Sequence, residues 1–497
     1  MSAPHERSLR LCIYKVFYIL FFDSRRNIPG SLVDRIIYNH NFAVKGLRGK
    51  IHEFIDQQHN KYGRIVYVAP DIISVDDRKL VKYIISQQDF PKSEVYENLR
   101  LQRTTLNLFN VLDRDYHKHI RRSLAPAFAL SYLNSLEPMI QSCIDVLIKV
   151  LNERIDQSPS GVAVVDMWQL ITYLALDTIG ETAFGFSFNM VESGKKHPLS
   201  DAIEKCLRNC TIANIIRILQ YVPGIDKHEN YFRKVGNSCD IAPVVTTLPE
   251  EMTAILNRRK AFPSGRRDIL QIMIDTQSRE DGMTDEQIIQ ESAMFHVAGS
   301  ETSSNTINFG LIYLAKHRKW LEALQQELDE AFPTAESVHA MRHENLKNLT
   351  ILNAVINETM RLRPVTMVGI ARQTPETTTL GPYVLPKHTQ IIVNYARMQR
   401  DKEYWGEDAN EYNPARFLGD WPSDAFLPFS ASTRSCIGKN FALLQMRLTL
   451  AHIIRRYNLD IVPGQNENDL VQHITVHVRG TSYKMAISRR DGLSENL

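Results

Sequence analysis

The most constraining feature of this sequence is a cysteine placed just before an amphipathic, helix-forming run. Residues 429–438 read Phe-Ser-Ala-Ser-Thr-Arg-Ser-Cys-Ile-Gly, and residues 441–454 then show the apolar spacing of a helix. Unpaired N–H groups and the positive end of the dipole at a helix start stabilise a thiolate. The sequence therefore favours a fold that holds the Cys436 sulfur at the start of a helix.

Two neighbours of Cys436 restrict what its sulfur can bind. Gly438 has no side chain, so a flat partner can approach the backbone there. Arg434 can carry a positive charge to an anionic group beside the sulfur. Together these residues fit an iron porphyrin with carboxylate arms, held by axial sulfur. A lone cysteine in a helical protein is more often a small buried apolar side chain, and these residues alone leave that alternative open.

The ten residues around Cys436 resemble the heme-ligand loop of the cytochrome P-450 superfamily, Phe-x-x-Gly-x-Arg-x-Cys-x-Gly. Phe429, Arg434, Cys436 and Gly438 match this pattern, whereas Ser432 stands where the family usually has glycine. The resemblance implies heme b as the cofactor, with Cys436 as the axial iron ligand and the three other matching residues around the heme. Because serine tolerates a positive φ poorly, Ser432 is expected to alter or strain this loop.

Composition excludes several classes of protein. Hydrophobic residues make up 43% and charged residues 23% of the 497 residues, as in an ordinary globular protein. The net charge is only +3, and there is no basic run with interleaved aromatics, so nothing indicates nucleic-acid binding. The cysteines have no framework spacing, which indicates a reducing compartment; they are Cys12, Cys143, Cys206, Cys210, Cys239 and Cys436.

Length alone suggests about three domains at ~150 residues each. The resemblance implies instead one large heme domain over residues 31–497, mainly α with a small β portion. Apolar periodicity predicts helices over residues 52–62, 77–87, 115–128, 133–155, 165–184 and 201–219. Alternation of β-branched residues predicts strands over residues 63–69 and 72–75.

The amino-terminal residues 9–22 are mostly apolar, although Arg10 and Lys15 interrupt them. This run is shorter than the ~20 apolar residues of a spanning helix. It is either a mobile amphipathic tail or a membrane anchor with a basic pair, Arg25 and Arg26, on the cytoplasmic side. The resemblance implies that residues 1–30 are an anchor and hinge. It also implies that the catalytic domain faces the cytoplasm from the endoplasmic reticulum membrane.

A second motif lies inside a long predicted helix. Residues 284–287 form a capping box that opens a helix reaching about Lys316. Its centre, Ala-Gly-Ser-Glu-Thr-Ser at 298–303, is poor in helix propensity. It resembles the family's Ala-Gly-x-Asp/Glu-Thr oxygen-activation motif, which implies that Thr302 and Glu301 are catalytic and deliver protons. The alternative is a glycine-tolerant helix crossing in which Thr302 only caps a kink.

Glu358 and Arg361 are spaced to lie on one helix face, where an exposed pair would contribute little to stability. They resemble the family's Glu-x-x-Arg motif, and residues 414–417 resemble its Pro-x-Arg-Phe motif. The resemblance implies that Arg416 joins them in a buried, structural three-charge network.

The resemblance also assigns residues to the heme edge and to the substrate. Arg121 and Arg372 match the arginines that pair with the heme propionates, and His117 lies four residues before Arg121. Strands are expected over residues 365–370 and 383–395. A substrate-contacting hairpin is expected over residues 471–478.

The resemblance implies a membrane-bound monooxygenase that oxidises a lipophilic small molecule, such as a terpenoid, steroid or polyketide, in fungal secondary metabolism. The chain has no Gly-x-Gly-x-x-Gly fingerprint, so electrons are expected from a separate NADPH-dependent reductase. Two alternatives remain: a heme-thiolate isomerase or peroxide-using enzyme of the same fold, and a non-catalytic heme- or lipid-binding membrane protein. The intact Thr302 with its acidic neighbour argues against the first.

Overall fold

Helices dominate the fold, and small sheets lie beside them. A computed structural model describes residues 13–14, 16–36, 40–99, 106–198, 241–263 and 265–490. The expected helix at 201–219 and the cysteines at 12, 206, 210 and 239 lie outside these ranges. The helices are Leu32–Ile36, His40–Leu47, Ile51–Tyr62, Arg78–Lys82, Arg114–Leu124, Leu130–Asp156, Met167–Ile179, Met190–Ser193, Ile241–Ala261, Ile269–Asp275, Asp285–Lys316, Arg318–Ala331, Ala335–His339, His343–Leu346, Thr350–Leu362, Tyr395–Met398, Lys402–Trp405 and Lys439–Arg456.

The helix Asp285–Lys316, called the central helix below, runs through the core. It packs against Met167–Ile179, Thr350–Leu362 and Lys439–Arg456, and its carboxyl-terminal half is almost entirely buried. The predicted capping box is present, because the Thr284 hydroxyl accepts from Gln287 N and the Gln287 side chain accepts from Thr284 N. This cap fixes where the helix begins and hence the position of residues 298–303 within it.

The largest sheet has four strands in the order Ile65–Ala69, Ile72–Val75, Gln390–Val393 and Ile370–Gln373. Its second and third strands are parallel, and the other pairs are antiparallel. This sheet therefore brings Arg372, late in the chain, into the same sheet as the strands predicted near the amino end, with Gln390–Val393 between them. In the smaller sheets, Lys484–Arg489 pairs with both Ala163–Asp166 and Tyr457–Ile461, Leu470–Gln472 pairs with Val476–Val478, and Thr378–Leu380 pairs with Tyr383–Leu385.

The prediction of one helix over 165–184 is wrong at its start. Residues Ala163–Asp166 form a strand, the helix is Met167–Ile179, and a π-helical turn, Gly180–Phe184, follows. Asp166 ends the strand and caps the helix by accepting from Gln169 N at 3.1 Å. The partner strand, Lys484–Arg489, lies more than 300 residues away, so the local sequence pattern could not indicate the pairing.

Two expected strands are shorter than predicted. The strand expected over 365–370 begins only at Ile370, because Gly369 adopts a φ of +92° and donates from its N–H to Thr366 O. The segment 383–395 contains the strands Tyr383–Leu385 and Gln390–Val393, separated by a turn in which His388 has a φ of +64°. The other helices and strands predicted within the described ranges agree with the structure to within a few residues.

Glu358, Arg361 and Arg416 lie together in the fold. The side chains of Glu358 and Arg361 have no exposed surface and form two hydrogen bonds, of 2.6 and 2.8 Å. Arg416 is more loosely attached: its Nε lies 3.5 Å from Glu358, while its other nitrogens donate to the carbonyls of Trp405 and Asp408. The Glu358 carboxylate therefore supplies the counter-charge of the fully buried Arg361 guanidinium.

We expect Glu358→Gln to destabilise the protein by about 3–5 kcal/mol, because it leaves the buried Arg361 without its counter-charge. The denaturant midpoint of the purified chain measures this. The matched control is Glu407→Gln, which removes an exposed carboxylate that lies 2.8 Å from Lys402. Equal midpoints for the two variants would contradict a structural role for the buried pair.

Candidate active site

The cysteine loop, residues 429–438, is folded back on itself ahead of the helix Lys439–Arg456. Cys436 N donates to Phe429 O at 2.9 Å, and Gly438 N–H donates to the Cys436 sulfur. Gly438 has a φ of −82°, so its backbone does not require glycine. A Cβ placed there would meet only the Cys436 sulfur, at 3.9 Å. Glycine at this position therefore keeps the surface beside the sulfur open.

The Cys436 thiol faces an enclosed space. Its side chain is exposed, yet burial among protein atoms is the main influence on its pKa and raises it. The Gly438 N–H and the Arg121 charge lower the pKa, as expected at a helix start, but they do not outweigh burial. The sulfur is consequently a neutral thiol at pH 7, and a bound metal cation has to displace its proton before the thiolate forms.

Ser432 adopts the left-handed conformation that its position in the loop requires. Its φ is +65°, and that of Ser430 is +58°. The Ser430 hydroxyl lies 3.0 Å from Tyr395 Oη, which ties the loop to the helix Tyr395–Met398. Serine at this positive φ strains the backbone by roughly 1–2 kcal/mol.

Three predicted arginines converge beside the cysteine loop. Arg121 donates to Ser435 O at 2.8 Å, and Arg434 donates to the carbonyls of Val111 and Leu112 at 2.9 and 3.0 Å. Arg372 is buried, and its Nε has no hydrogen-bond partner. Burial, together with the nearby positive charge of Arg372, lowers the pKa of Arg434 to about 10.

Lys92 joins this cluster, although the sequence gave no indication of it. Its side chain is buried, and Nζ donates to the carbonyls of Leu108 and Phe109 at 3.1 and 2.6 Å. Burial, with Arg434 and Arg372 next in effect, lowers the pKa of Lys92 to about 6. A single β-bridge between Lys92 and Arg372 places Lys92 in this cluster. Because the two residues lie far apart in the chain, no local sequence pattern indicates their pairing.

We name Lys92, His117, Arg121, Arg372 and Arg434 the cationic cluster. Burial first, then the four other members, lowers the pKa of His117 to about 3, so its ring is neutral. Nearby carboxylates are fewer: Asp89 acts on Arg434, and Glu291, whose own pKa burial raises to about 8, acts on Lys92. A partly buried cluster whose three arginines carry excess positive charge, one of them with an unpaired Nε, fits a ligand with two carboxylates, such as heme.

Within residues 298–302, all but the buried Ser300 form an accessible strip on the otherwise buried middle of the central helix. Ala298 is exposed and Glu301 and Thr302 are half-buried, whereas residues 295–297 and 303–312 are buried. Thr302 Oγ1 donates to Ala298 O at 2.7 Å, which is the expected back-bond, but the helix continues without a break. A Cβ at Gly299 would lie 2.9 Å from Ile179 Cδ1, so this glycine serves helix packing rather than ligand space.

Comparison with known proteins identifies the family. The family model for cytochrome P-450 matches residues 29–485. This chain belongs to the cytochrome P-450 family. It is a monooxygenase by that membership, and its cofactor is a heme iron. The described residues contain no group of three or more His, Cys, Asp or Glu side chains that could hold a metal ion, and a heme needs none, since the porphyrin supplies the in-plane ligands.

Fungal and plant proteins are among its relatives. It is 32% identical to the cytochrome P-450 monooxygenase FUS8 of Gibberella moniliformis, over 97% of this chain and 92% of that protein. It is 33% identical to the cytochrome P-450 monooxygenase acrD of Aspergillus aculeatus, over 96% and 94% respectively. Secologanin synthase 2 of Catharanthus roseus is 31% identical, over 70% of this chain and 66% of that protein.

We expect Ser432→Gly to raise the thermal midpoint. Relief of roughly 1–2 kcal/mol of strain exceeds the roughly 0.5–1 kcal/mol by which glycine loses chain entropy. Ser432→Ala, which keeps the Cβ and therefore the strain, should leave the midpoint unchanged. A midpoint that rises equally in both variants would show that the hydroxyl, and not the positive φ, limits the stability of this loop.

Proposed function

We propose that this cytochrome P-450 oxidises a lipophilic small molecule, most simply by hydroxylation, using O2 and electrons from a separate NADPH-dependent reductase. The substrate class proposed is a terpenoid, steroid or polyketide of fungal secondary metabolism. The observation that supports the proposal is that both motif residues are accessible in the fold: the Cys436 thiol at the start of its helix, and Thr302 on an otherwise buried helix.

Cys436 is proposed as the axial ligand of heme b, with Phe429 and Gly438 beside it. Arg121, Arg372 and Arg434 would hold the heme carboxylates. His117 and Lys92 would add donors at the same edge. The bound heme supplies oxygen binding and activation. The carboxylates would neutralise the cationic cluster and restore the charge of Lys92, whose low pKa arises partly from its cationic neighbours.

Thr302 and Glu301 are proposed to deliver protons. Because the Thr302 hydroxyl donates to Ala298 O, its oxygen lone pairs are available to accept a hydrogen bond from a water molecule. A water held in this way keeps its second hydrogen for the reacting oxygen. The adjacent Glu301 carboxyl can return a proton to that water, as a general acid must.

The expected substrate wall contains apolar, partly exposed side chains. Val368 is half-buried and packs beside the strands Ile65–Ala69 and Ile72–Val75, and Ile474 packs against the main core from the carboxyl-terminal hairpin. Thr366 is also partly exposed, whereas Met367 is buried in the core. These surfaces support a lipophilic substrate.

The experiment is to find, among terpenoids, steroids and polyketides, a compound that shifts the ferric heme to high spin, and then to follow its oxidation. We expect product only with NADPH and reductase, and one product oxygen from labelled O2. Thr302→Ala should lower product per NADPH by about tenfold or more, since it removes a proton-delivering group.

The matched control is Thr306→Ala. Thr306 is buried one turn further along the helix and makes the same kind of back-bond, to Thr302 O at 3.0 Å. Its replacement should leave product per NADPH unchanged. Product formed without NADPH would contradict the proposal and would favour an isomerase or a peroxide-using enzyme of the same fold.

The proposal includes a membrane attachment at the amino end, on the cytoplasmic side of the endoplasmic reticulum. Residues 16–21 are helical, and six aromatic or apolar side chains here are about half exposed or more: Ile13, Tyr14, Phe17, Tyr18, Phe21 and Phe22. Among the described residues, no helix combines the length and apolar character needed to cross a membrane. An interfacial segment suits the exposed aromatic side chains. The boundary between this segment and the heme domain is proposed near residue 30.

We expect the double variant Phe17→Ser, Phe21→Ser to bind phospholipid vesicles more weakly than the unmodified chain, because it removes two exposed apolar rings. Vesicle flotation measures this. Phe262→Ser, which changes an exposed phenylalanine outside the segment, is the control. Unchanged flotation of the double variant would contradict attachment through these rings.

A further inference from the structure

A hydrogen bond joins the acid of the central helix to the carboxyl-terminal hairpin, Leu470–Gln472 with Val476–Val478. Thr475, in the turn of that hairpin, donates from Oγ1 to Glu301 Oε2 at 3.0 Å. The two residues are 174 positions apart in the chain, and Thr475 is buried. Glu301 directly precedes Thr302, so the bond reaches the residue proposed to return protons to the water beside Thr302.

The hairpin does not need this bond to hold its place. Val476 is fixed from two sides: its carbonyl accepts from Asn305 Nδ2 at 2.9 Å, and its N–H donates to Val365 O at 2.9 Å. Gln472 adds a link, since its side chain accepts from Val368 N at 3.3 Å. These bonds fix the hairpin backbone against both the central helix and residues 365–368. The Thr475 hydroxyl is therefore directed at the Glu301 side chain from a rigid support.

Fixing one carboxylate oxygen has a chemical consequence. A glutamate side chain on a helix has several rotamers, and proton transfer needs the donor within hydrogen-bond reach of the receiving water. A donor on one oxygen selects a rotamer and so sets the direction in which the other oxygen points. Threonine suits this task, because its β-branched side chain has few χ1 rotamers of its own.

We propose that Thr475 is a positioning residue that holds the Glu301 carboxyl group in the rotamer from which it delivers protons to the water at Thr302. This inference rests on the proposed proton-delivery role of Glu301 and Thr302. It makes proton delivery depend on the carboxyl-terminal hairpin, a segment remote from the oxygen-activation motif in sequence.

The test uses Thr475→Val, which keeps the shape and removes the hydroxyl, and Thr475→Ser, which keeps the hydroxyl. The full chain with reductase is given NADPH and O2, and hydrogen peroxide released per NADPH consumed is measured, which needs no identified substrate. Thr475→Val should lower the fraction of consumed oxygen that is reduced to water by about threefold or more, and the hydrogen peroxide released per NADPH should rise accordingly. This effect is smaller than the roughly 10²-fold effect of removing a catalytic acid altogether. Thr475→Ser should restore the fraction of oxygen reduced to water.

A crystal structure of Thr475→Val provides a readout independent of turnover. We expect the hairpin backbone unmoved and the Glu301 side chain in a different or mixed rotamer, with an unchanged thermal midpoint. An unmoved Glu301, or a peroxide ratio equal to that of the unmodified chain, would overturn the proposal. So would a lower midpoint with a displaced hairpin, which indicates a structural role.

The failure of this inference is distinguishable from failure of the proposed function. If the unmodified chain consumes no NADPH with any reductase, the proposed function fails. If it consumes NADPH and Thr302→Ala increases peroxide release while Thr475→Val does not, only the positioning role of Thr475 fails.

Discussion

Positive charge that the protein's own carboxylates do not balance, buried at Arg372 and half-buried at Arg121 and Arg434, is the constraint on which this site depends. Burial lowers the pKa of Arg121, Arg434 and Lys92 and so disfavours their charged forms. The Nε of Arg372 has no hydrogen-bond partner. Four separate segments supply the cluster, so its repulsion acts against the contacts that bring them together. A ligand with two carboxylates removes this repulsion, and binding to the folded state alone adds to stability by mass action.

The cysteine is subject to the same balance between burial and charge. A helix start and Arg121 favour the thiolate of Cys436, but desolvation opposes it more strongly. Burial holds the pKa of the Cys436 thiol above its ordinary value, so a bound cation has to displace the thiol proton. The cationic cluster and the thiol are therefore two parts of one site that suit the two charged features of a heme, its carboxylates and its iron.

Local signals predicted much of this architecture. The capping box located the central helix, and the loop motif located Cys436 with the helix after it. Contacts between distant segments could not be predicted in the same way. Lys92 looks like an ordinary surface lysine in the sequence, the strand Ala163–Asp166 depends on a partner near the carboxyl end, and Thr475 meets Glu301 only in the folded chain. The close approach of Gly299 to Ile179 is likewise a contact between segments distant in the chain.

The most direct test of the account is the carbon-monoxide difference spectrum of the reduced, purified protein. The account predicts a red-shifted Soret band typical of thiolate ligation, lost in Cys436→Ala and kept in Cys143→Ala, which replaces a buried cysteine in the core. A band typical of histidine or protonated-thiol ligation in folded protein would contradict it, as would a thiolate band that survives in Cys436→Ala.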